Sequence, residues 1–209
     1  NLIRLHPTTT MTAEQALQSD IWQSPYIQSL NGTWLFNLSH TPYVRPFYFF
    51  KDDYDTSDWT SINVPGNWEL QGFDVPIYVN VQYPHQATPP TMQKNYNPVG
   101  SYKRSFTIPE NWKGQDLILH FGAVSSAMYV WVNEQMVGYS EDSKTPAEFN
   151  ITKYLKKGKN SLAVEVYRWS DGSYLEDQDF WRMSGITRDV FLMARNPQHI
   201  RDYRVSSPL

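Results

Sequence analysis

Apolar and polar positions alternate with period two over much of this chain. Thr33-Trp34-Leu35-Phe36-Asn37-Leu38 alternates after an Asn31-Gly32 turn signal, and Tyr102 to Ile108 forms a second such run, ended by Pro109. Leu117, Leu119 and Phe121 fall on one side of an extended segment, because successive side chains of a strand point to opposite faces. Met128–Val132 and Gln135–Tyr139 flank Asn133-Glu134, which predicts a hairpin. Lys157-Gly158-Lys159-Asn160 is a turn before a strand over Ser161–Tyr167, and Arg188–Met193 reads as another strand. Helix signals are scarce. Thr12–Leu17 carries a capping box worth one or two turns, and Ile151–Leu155 predicts a short turn stopped by Gly158. Many short strands with turn signals between them argue for an all-β antiparallel sandwich. Propensity alone does not separate a jelly roll from an immunoglobulin-like sandwich.

Four stretches break the alternation. Residues 39–60 are rich in Pro, Asp and aromatics, including Phe47-Tyr48-Phe49-Phe50. Residues 74–98 hold five Pro and three Asn and predict a long covering loop. Residues 197–209 resemble a linker and the opening strand of a following domain, so the first domain is placed at 1–196. The fourth stretch, Arg168–Ile186, follows neither a helical nor a strand period. It packs four carboxylates, two Trp, a Tyr, a Phe and two Arg into 19 residues between two predicted strands. Long connections of this kind are where binding sites tend to sit. Carboxylates accept hydrogen bonds from hydroxyls and aromatic faces cover apolar C–H faces, so the mixture suits a sugar.

Composition narrows the field. With 209 residues the chain is long enough for one domain with a sizeable core. A net charge of -3, with both signs mixed, gives no nucleic-acid groove and no membrane-seeking patch. No apolar run is long enough for a transmembrane helix. Asn1–Pro7 lacks both a signal peptide's apolar stretch and an initiating Met, which reads as a processed or cut end. The compartment stays open, with a soluble protein of the bacterial cytoplasm or periplasm as the expectation. The absence of Cys excludes disulfides, thiolate metal sites and a Cys nucleophile. The five His are scattered without metal-ligand spacing, and the Asn-X-Thr/Ser matches at Asn31, Asn37 and Asn150 are attributed to chance.

The stretch Arg-Trp-Ser-Asp-Gly-Ser-Tyr-Leu-Glu-Asp-Gln-Asp-Phe-Trp-Arg-Met-Ser-Gly-Ile at 168–186 resembles the signature of the amino-terminal sugar-binding domain of family 2 glycoside hydrolases of the β-galactosidase type. Val64–Tyr78, Asn97–Tyr102 and Val137–Lys144 agree with it in the expected order. The likeness runs from Asn1 to about Asn196. It implies a jelly-roll β-sandwich of the galactose-binding-domain-like kind. It also implies a parent enzyme that hydrolyses terminal non-reducing β-D-galactose residues with retention. The catalytic acid/base and the nucleophile of that family are Glu residues on a (β/α)8 barrel. Such a barrel needs about 250 residues by itself, so no catalytic residue is assigned here. The implied partners are a β-galactoside, downstream domains of the same chain and a homo-oligomer of the parent. No tightly bound cofactor is implied for this domain, but sodium and magnesium are implied for the parent.

Site residues follow from the same likeness. The position matching Asp179 accepts a sugar hydroxyl and helps ligate sodium, a hard cation that suits oxygen ligands. The competing reading pairs Asp177 and Asp179 with Arg182 and Arg188. The position of Asn97 extends an amide toward the sugar, where an amide can donate and accept at once. Its competing reading is an Asx-turn before a strand. Asp171, Glu176 and Asp177 are assigned structural roles, Arg182 a structural tie, and Trp68, Phe180 and Trp181 packing roles. Rival functions are a free-standing carbohydrate-binding module, another family 2 glycosidase such as a β-glucuronidase or mannosidase, and a purely structural protein.

Overall fold

The computed structural model describes residues 20–176, 179–200, 202 and 204–207. The predicted turn at Thr12–Leu17 lies outside them, as does Asp177. Within them the chain forms strands and short 3₁₀ turns. In chain order the strands are β1 (Ile27–Ser29), β2 (Gly32–Ser39), β3 (Thr60–Val64), β4 (Ile77–Val79), β5 (Val99–Thr107), β6 (Asp116–Phe121) and β7 (Val124–Ser125). Then come β8 (Ala127–Val132), β9 (Gln135–Glu141), β10 (Ala147–Asn150), β11 (Lys159–Tyr167), β12 (Phe180–Arg182), β13 (Gly185–Ile186) and β14 (Val190–Arg195). No helix of the described residues is long and apolar enough to cross a membrane.

Two antiparallel sheets face each other, as expected of a jelly-roll sandwich. One has the order β1-β14-β6-β10 and the other β3-β2-β5-β11-β8-β9. Alternation places Trp34, Phe36, Tyr102, Val130, Leu162, Val164 and Val166 on the inner face of the larger sheet. Leu117, Leu119, Phe121, Val190 and Leu192 meet them from the smaller one. The predicted hairpin turns at Asn133 (φ 48°) and Glu134 (φ 67°), the left-handed pair that matches strand twist in a two-residue loop. Thr152–Tyr154 is a 3₁₀ turn at the predicted place. The aromatic run of 39–60 is irregular but packed: Phe49 is fully buried, and the Phe50 ring stacks on Trp131 of β8 at 5.2 Å. The described residues of 197–207 contain no strand.

The β5–β11 pairing positions the two long loops at one end of the molecule. Nine residue pairs run from Lys159↔Thr107 to Tyr167↔Val99. The long loop before β5 and the carboxylate-rich loop after β11 therefore leave the sheet side by side. The pairing continues past the last rung, since the Arg168 backbone N–H donates to the Pro98 carbonyl at 2.9 Å. Asn97 then stands in for a backbone unit: its Nδ2 donates to the Trp169 carbonyl at 3.0 Å and its Oδ1 accepts from the Trp169 N–H at 2.9 Å.

A buried ionic knot fastens these loops. Arg168 is 1% exposed. Its Nη1 pairs with Asp74 and lies 3.5 Å from Glu69 Oε1, while Nη2 donates to the carbonyls of Val75 at 2.9 Å and Arg182 at 3.2 Å. Glu69 accepts the Ser184 N–H on both oxygens, at 3.1 and 3.0 Å. Burial pushes the Glu69 carboxyl up, with the Ser184 N–H acting against it. Tyr96 donates to Asp74 at 2.7 Å, and its phenol is pushed up to about 12, chiefly by burial. Below the knot, Trp68 is fully buried and donates its indole N–H to Tyr102. Gly100 leaves room for that ring, because a Cβ there would come within 2.5 Å of Trp68 Cζ2 and 2.8 Å of Phe36 Cε2.

Two stability outcomes follow. Gly100→Ala should lower the unfolding free energy by about 1–3 kcal/mol through overpacking, read as a lower urea midpoint with an unchanged m-value. Arg168→Met should cost about 3–5 kcal/mol, because it strands two buried carboxylates. An Arg168→Met variant with a wild-type urea midpoint would show that the knot contributes nothing.

Candidate sugar-contact site

The carboxylate-rich loop divides into a tied part and a presented part. Asp171 opens a 3₁₀ turn, Asp171–Tyr174, capped by Ser170 and Ser173 in a reciprocal capping box. Asp171 also raises the pKa of nearby Glu141, after the larger effect of burial. Glu176 accepts both the backbone N–H and the hydroxyl of Ser143, each at 2.6 Å. This clamp joins the loop to the segment after β9, in line with the structural role read for Glu176. Arg182 is buried, with its guanidinium 4.1 Å from the Phe180 ring centroid and Nη1 3.4 Å from the Glu176 carbonyl. It is a tie, as expected. Arg188 donates to the Lys144 carbonyl at 3.1 Å. Among the described residues, Asp179 is engaged by the Tyr78 hydroxyl.

Asp179 sits at the start of β12, which pairs with β4 in a separate two-stranded ladder: Phe180↔Val79, Trp181↔Tyr78 and Arg182↔Ile77. Period two gives this ladder two faces. Ile77, Val79, Phe180 and Arg182 turn toward the domain and are half-buried or buried. Tyr78 and Trp181 point outward, 51% and 56% exposed, with ring centroids 5.5 Å apart. Continuing the register one step sets Asn80 opposite Asp179 on the same outer face, and both are exposed. Tyr78 and Asp179 are therefore diagonal neighbours. The Tyr78 hydroxyl donates to Asp179 Oδ1 at 2.6 Å. That bond, which places a carboxylate against the phenol, raises the Tyr78 pKa.

A carboxylate and two aromatic rings thus share one small solvent-facing patch. Asn97 lies outside this ladder, just before β5. Asn97 is 5% exposed, and its amide is engaged by Trp169 within the domain. Tyr78 and Asn80 were not singled out from the sequence, because Ile77-Tyr78-Val79 is a short run inside a Pro-rich segment. Its three consecutive strand-forming residues were the available signal. A pocket under the loop is lined by His85, Ser126, Ser143, Trp169, Glu176 and Arg182, among others, and neither Asp179 nor Tyr78 lines it. A wider groove lies on the outside of the larger sheet around Leu35, Lys103, Lys156 and Ser161. Among the described residues no three His, Cys, Asp or Glu side chains converge as a metal site.

Comparisons with known proteins agree with this picture. The chain is 52% identical over 202 residues to a β-galactosidase of Priestia megaterium, covering 95% of this chain and 20% of that protein. It is 49% identical over 196 residues to a β-galactosidase of Yersinia enterocolitica, covering 93% and 18%. It therefore spans about a fifth of the length of the curated relatives it matches. Among solved structures, a Bacteroides uniformis β-glucuronidase superposes with a TM-score of 0.61 at 28% identity, covering 80% of this chain and 18% of that one. A β-glycosidase from Bacteroides vulgatus gives 0.59 at 25% identity, covering 82% and 20%. Residues 27–197 match the family described as glycosyl hydrolases family 2, sugar binding domain. On that match and these identities, the chain belongs to the sugar-binding domains of glycoside hydrolase family 2.

Proposed function

We propose that this domain serves a retaining β-galactosidase and supplies part of the pocket for a terminal non-reducing β-D-galactose. The carrying observation is the presented carboxylate of Asp179, fixed by Tyr78 at the exposed end of the β4–β12 ladder. Identity to β-galactosidases near 50% over most of the chain favours galactoside over glucuronide, because the β-glucuronidase likeness stands at 28%.

Asp179 accepts a sugar hydroxyl in this reading. Bond cleavage belongs to a Glu pair elsewhere in the enzyme. A retaining glycosidase needs two carboxyl groups about 5–5.5 Å apart, one acting as acid/base and one as nucleophile. The described loop carboxylates do not suit that work: Glu176 is clamped by Ser143, and Asp171 lies beside the helical turn and Glu141. Asn97 contributes by holding Trp169 and the root of the loop. A sodium ion in the parent enzyme would find a hard oxygen ligand in Asp179, with its remaining ligands drawn from outside this domain. No described residue here is assigned to magnesium. The partners in this reading are the galactoside and further domains of the same polypeptide, with a homo-oligomer of the parent as the wider assembly.

Purified residues 1–209 should not cleave a chromogenic β-galactoside, and galactose should leave their Trp fluorescence unchanged at millimolar concentration. Saturable binding would favour the free-standing module, and turnover would refute the division of labour. In the full-length enzyme, Asp179→Ala should lower kcat/KM by about 10- to 100-fold, the scale of a lost hydrogen bond to a charged group. Unchanged turnover would leave the domain a purely structural role.

A further inference from the structure

An exposed aspartate does not position itself. Its side chain samples several rotamers in water, and a sugar or ion that needs one of them must work against that freedom. Asp179 is exposed, yet one oxygen is held at 2.6 Å by a phenol. Among the described residues, Tyr78 is its hydrogen-bond partner. The phenol itself is held from two directions. Its backbone lies in the β4–β12 ladder, and its ring lies against the directly opposite Trp181 at 5.5 Å. A group whose supports are a strand pair and a packed ring is more sharply placed than one on a free loop.

We propose that Tyr78 is a positioning residue for the Asp179 carboxylate. By donating to Oδ1 it fixes the plane of the carboxylate and leaves Oδ2 turned outward to accept from the ligand, and Trp181 braces its ring. This rests on the reading of Asp179 as a sugar-contacting group and extends it to a residue that need not touch the sugar. The reasoning is that of an outer-shell partner orienting an inner ligand, whose loss typically reduces function about 10- to 100-fold. Packing cannot stand in for this role, because the ring is half-exposed and a Phe would keep its contact with Trp181.

A double-mutant cycle in the full-length enzyme tests it. Tyr78→Phe, Asp179→Asn and the double variant are compared by kcat/KM on a chromogenic β-galactoside, with thermal unfolding as the control for folding. The expected result is a loss of about tenfold or more for Tyr78→Phe at an unchanged melting temperature. In the Asp179→Asn background the same change should cost less than twofold, because the carboxylate it serves is already gone. Trp181→Phe, which keeps an aromatic brace, should lose less than Tyr78→Phe. A Tyr78→Phe enzyme with wild-type kcat/KM, or one whose full loss persists beside Asp179→Asn, overturns the positioning role and leaves the Asp179 reading standing. If Asp179→Asn itself retains wild-type kcat/KM, the Asp179 reading fails instead.

Discussion

The two long loops at one end of this domain depend on one buried cation. Arg168 leaves the last rung of β11 and enters the space between two long connections with its side chain out of water. Burying a guanidinium is costly unless nearly every N–H finds an acceptor, and a planar five-donor fork is the side chain best able to arrange that. Asp74, Glu69 and the carbonyls of Val75 and Arg182 supply the acceptors. These groups come from segments far apart in sequence, so the ion is solvated by protein only when both loops are in place. A buried ion pair of this kind is weak evidence for net stability, but it penalises every arrangement in which a partner is missing. In this fold it fastens the loops to each other, because residues of both supply its acceptors.

The consequences reach Asp179 through short, stiff links. The Arg182 carbonyl that Arg168 holds belongs to the last residue of β12, and Asp179 stands just before the first. Glu176, clamped by Ser143, fixes the loop on the other side. Residues of the same type therefore do opposite work within a few positions. Glu69, Asp74 and Glu176 turn inward and hold structure, while Asp179 turns outward and keeps an acceptor for something else. Charge content could not distinguish them. The direction of each side chain relative to the ladder does.

That difference also marks what could be read from the chain beforehand. In the two main sheets β2, β5, β6, β8, β9, β11 and β14 were legible as alternating or continuously apolar runs, whereas β3 and β10, next to irregular segments, were not read. The very short strands β1, β4, β7, β12 and β13 were not, since two or three residues carry no period and their pairing is imposed by the loops that bring them together. Asp179 was found through its motif. Its neighbour Tyr78 was hidden, because their proximity depends on a register between segments 101 residues apart. Likeness of motif assigns Asn97 a sugar contact, and in the structure its amide also completes the β5–β11 pairing from the side. An Asn before a strand offers the same sequence signal in either role.

A solvent-facing patch built this way has a physical limit that bears on how it can work. A sugar hydroxyl bound to an exposed carboxylate replaces a water that bound nearly as well, so the net gain from one such contact in water is close to nothing. The same contact becomes worth several times more once a neighbouring surface removes water and lowers the local dielectric. Tyr78 and Trp181 are half-exposed and flat, and they border Asp179 without enclosing it. In the proposed role the patch would supply one wall of a sugar subsite. Affinity would arise when a second wall closes over it, and orienting Asp179 in advance lowers the entropy that closure must overcome. Evolution toward tighter binding by this domain alone would have to build the enclosure out of the loop itself, against the constraints that Arg168 and Glu176 already impose on it.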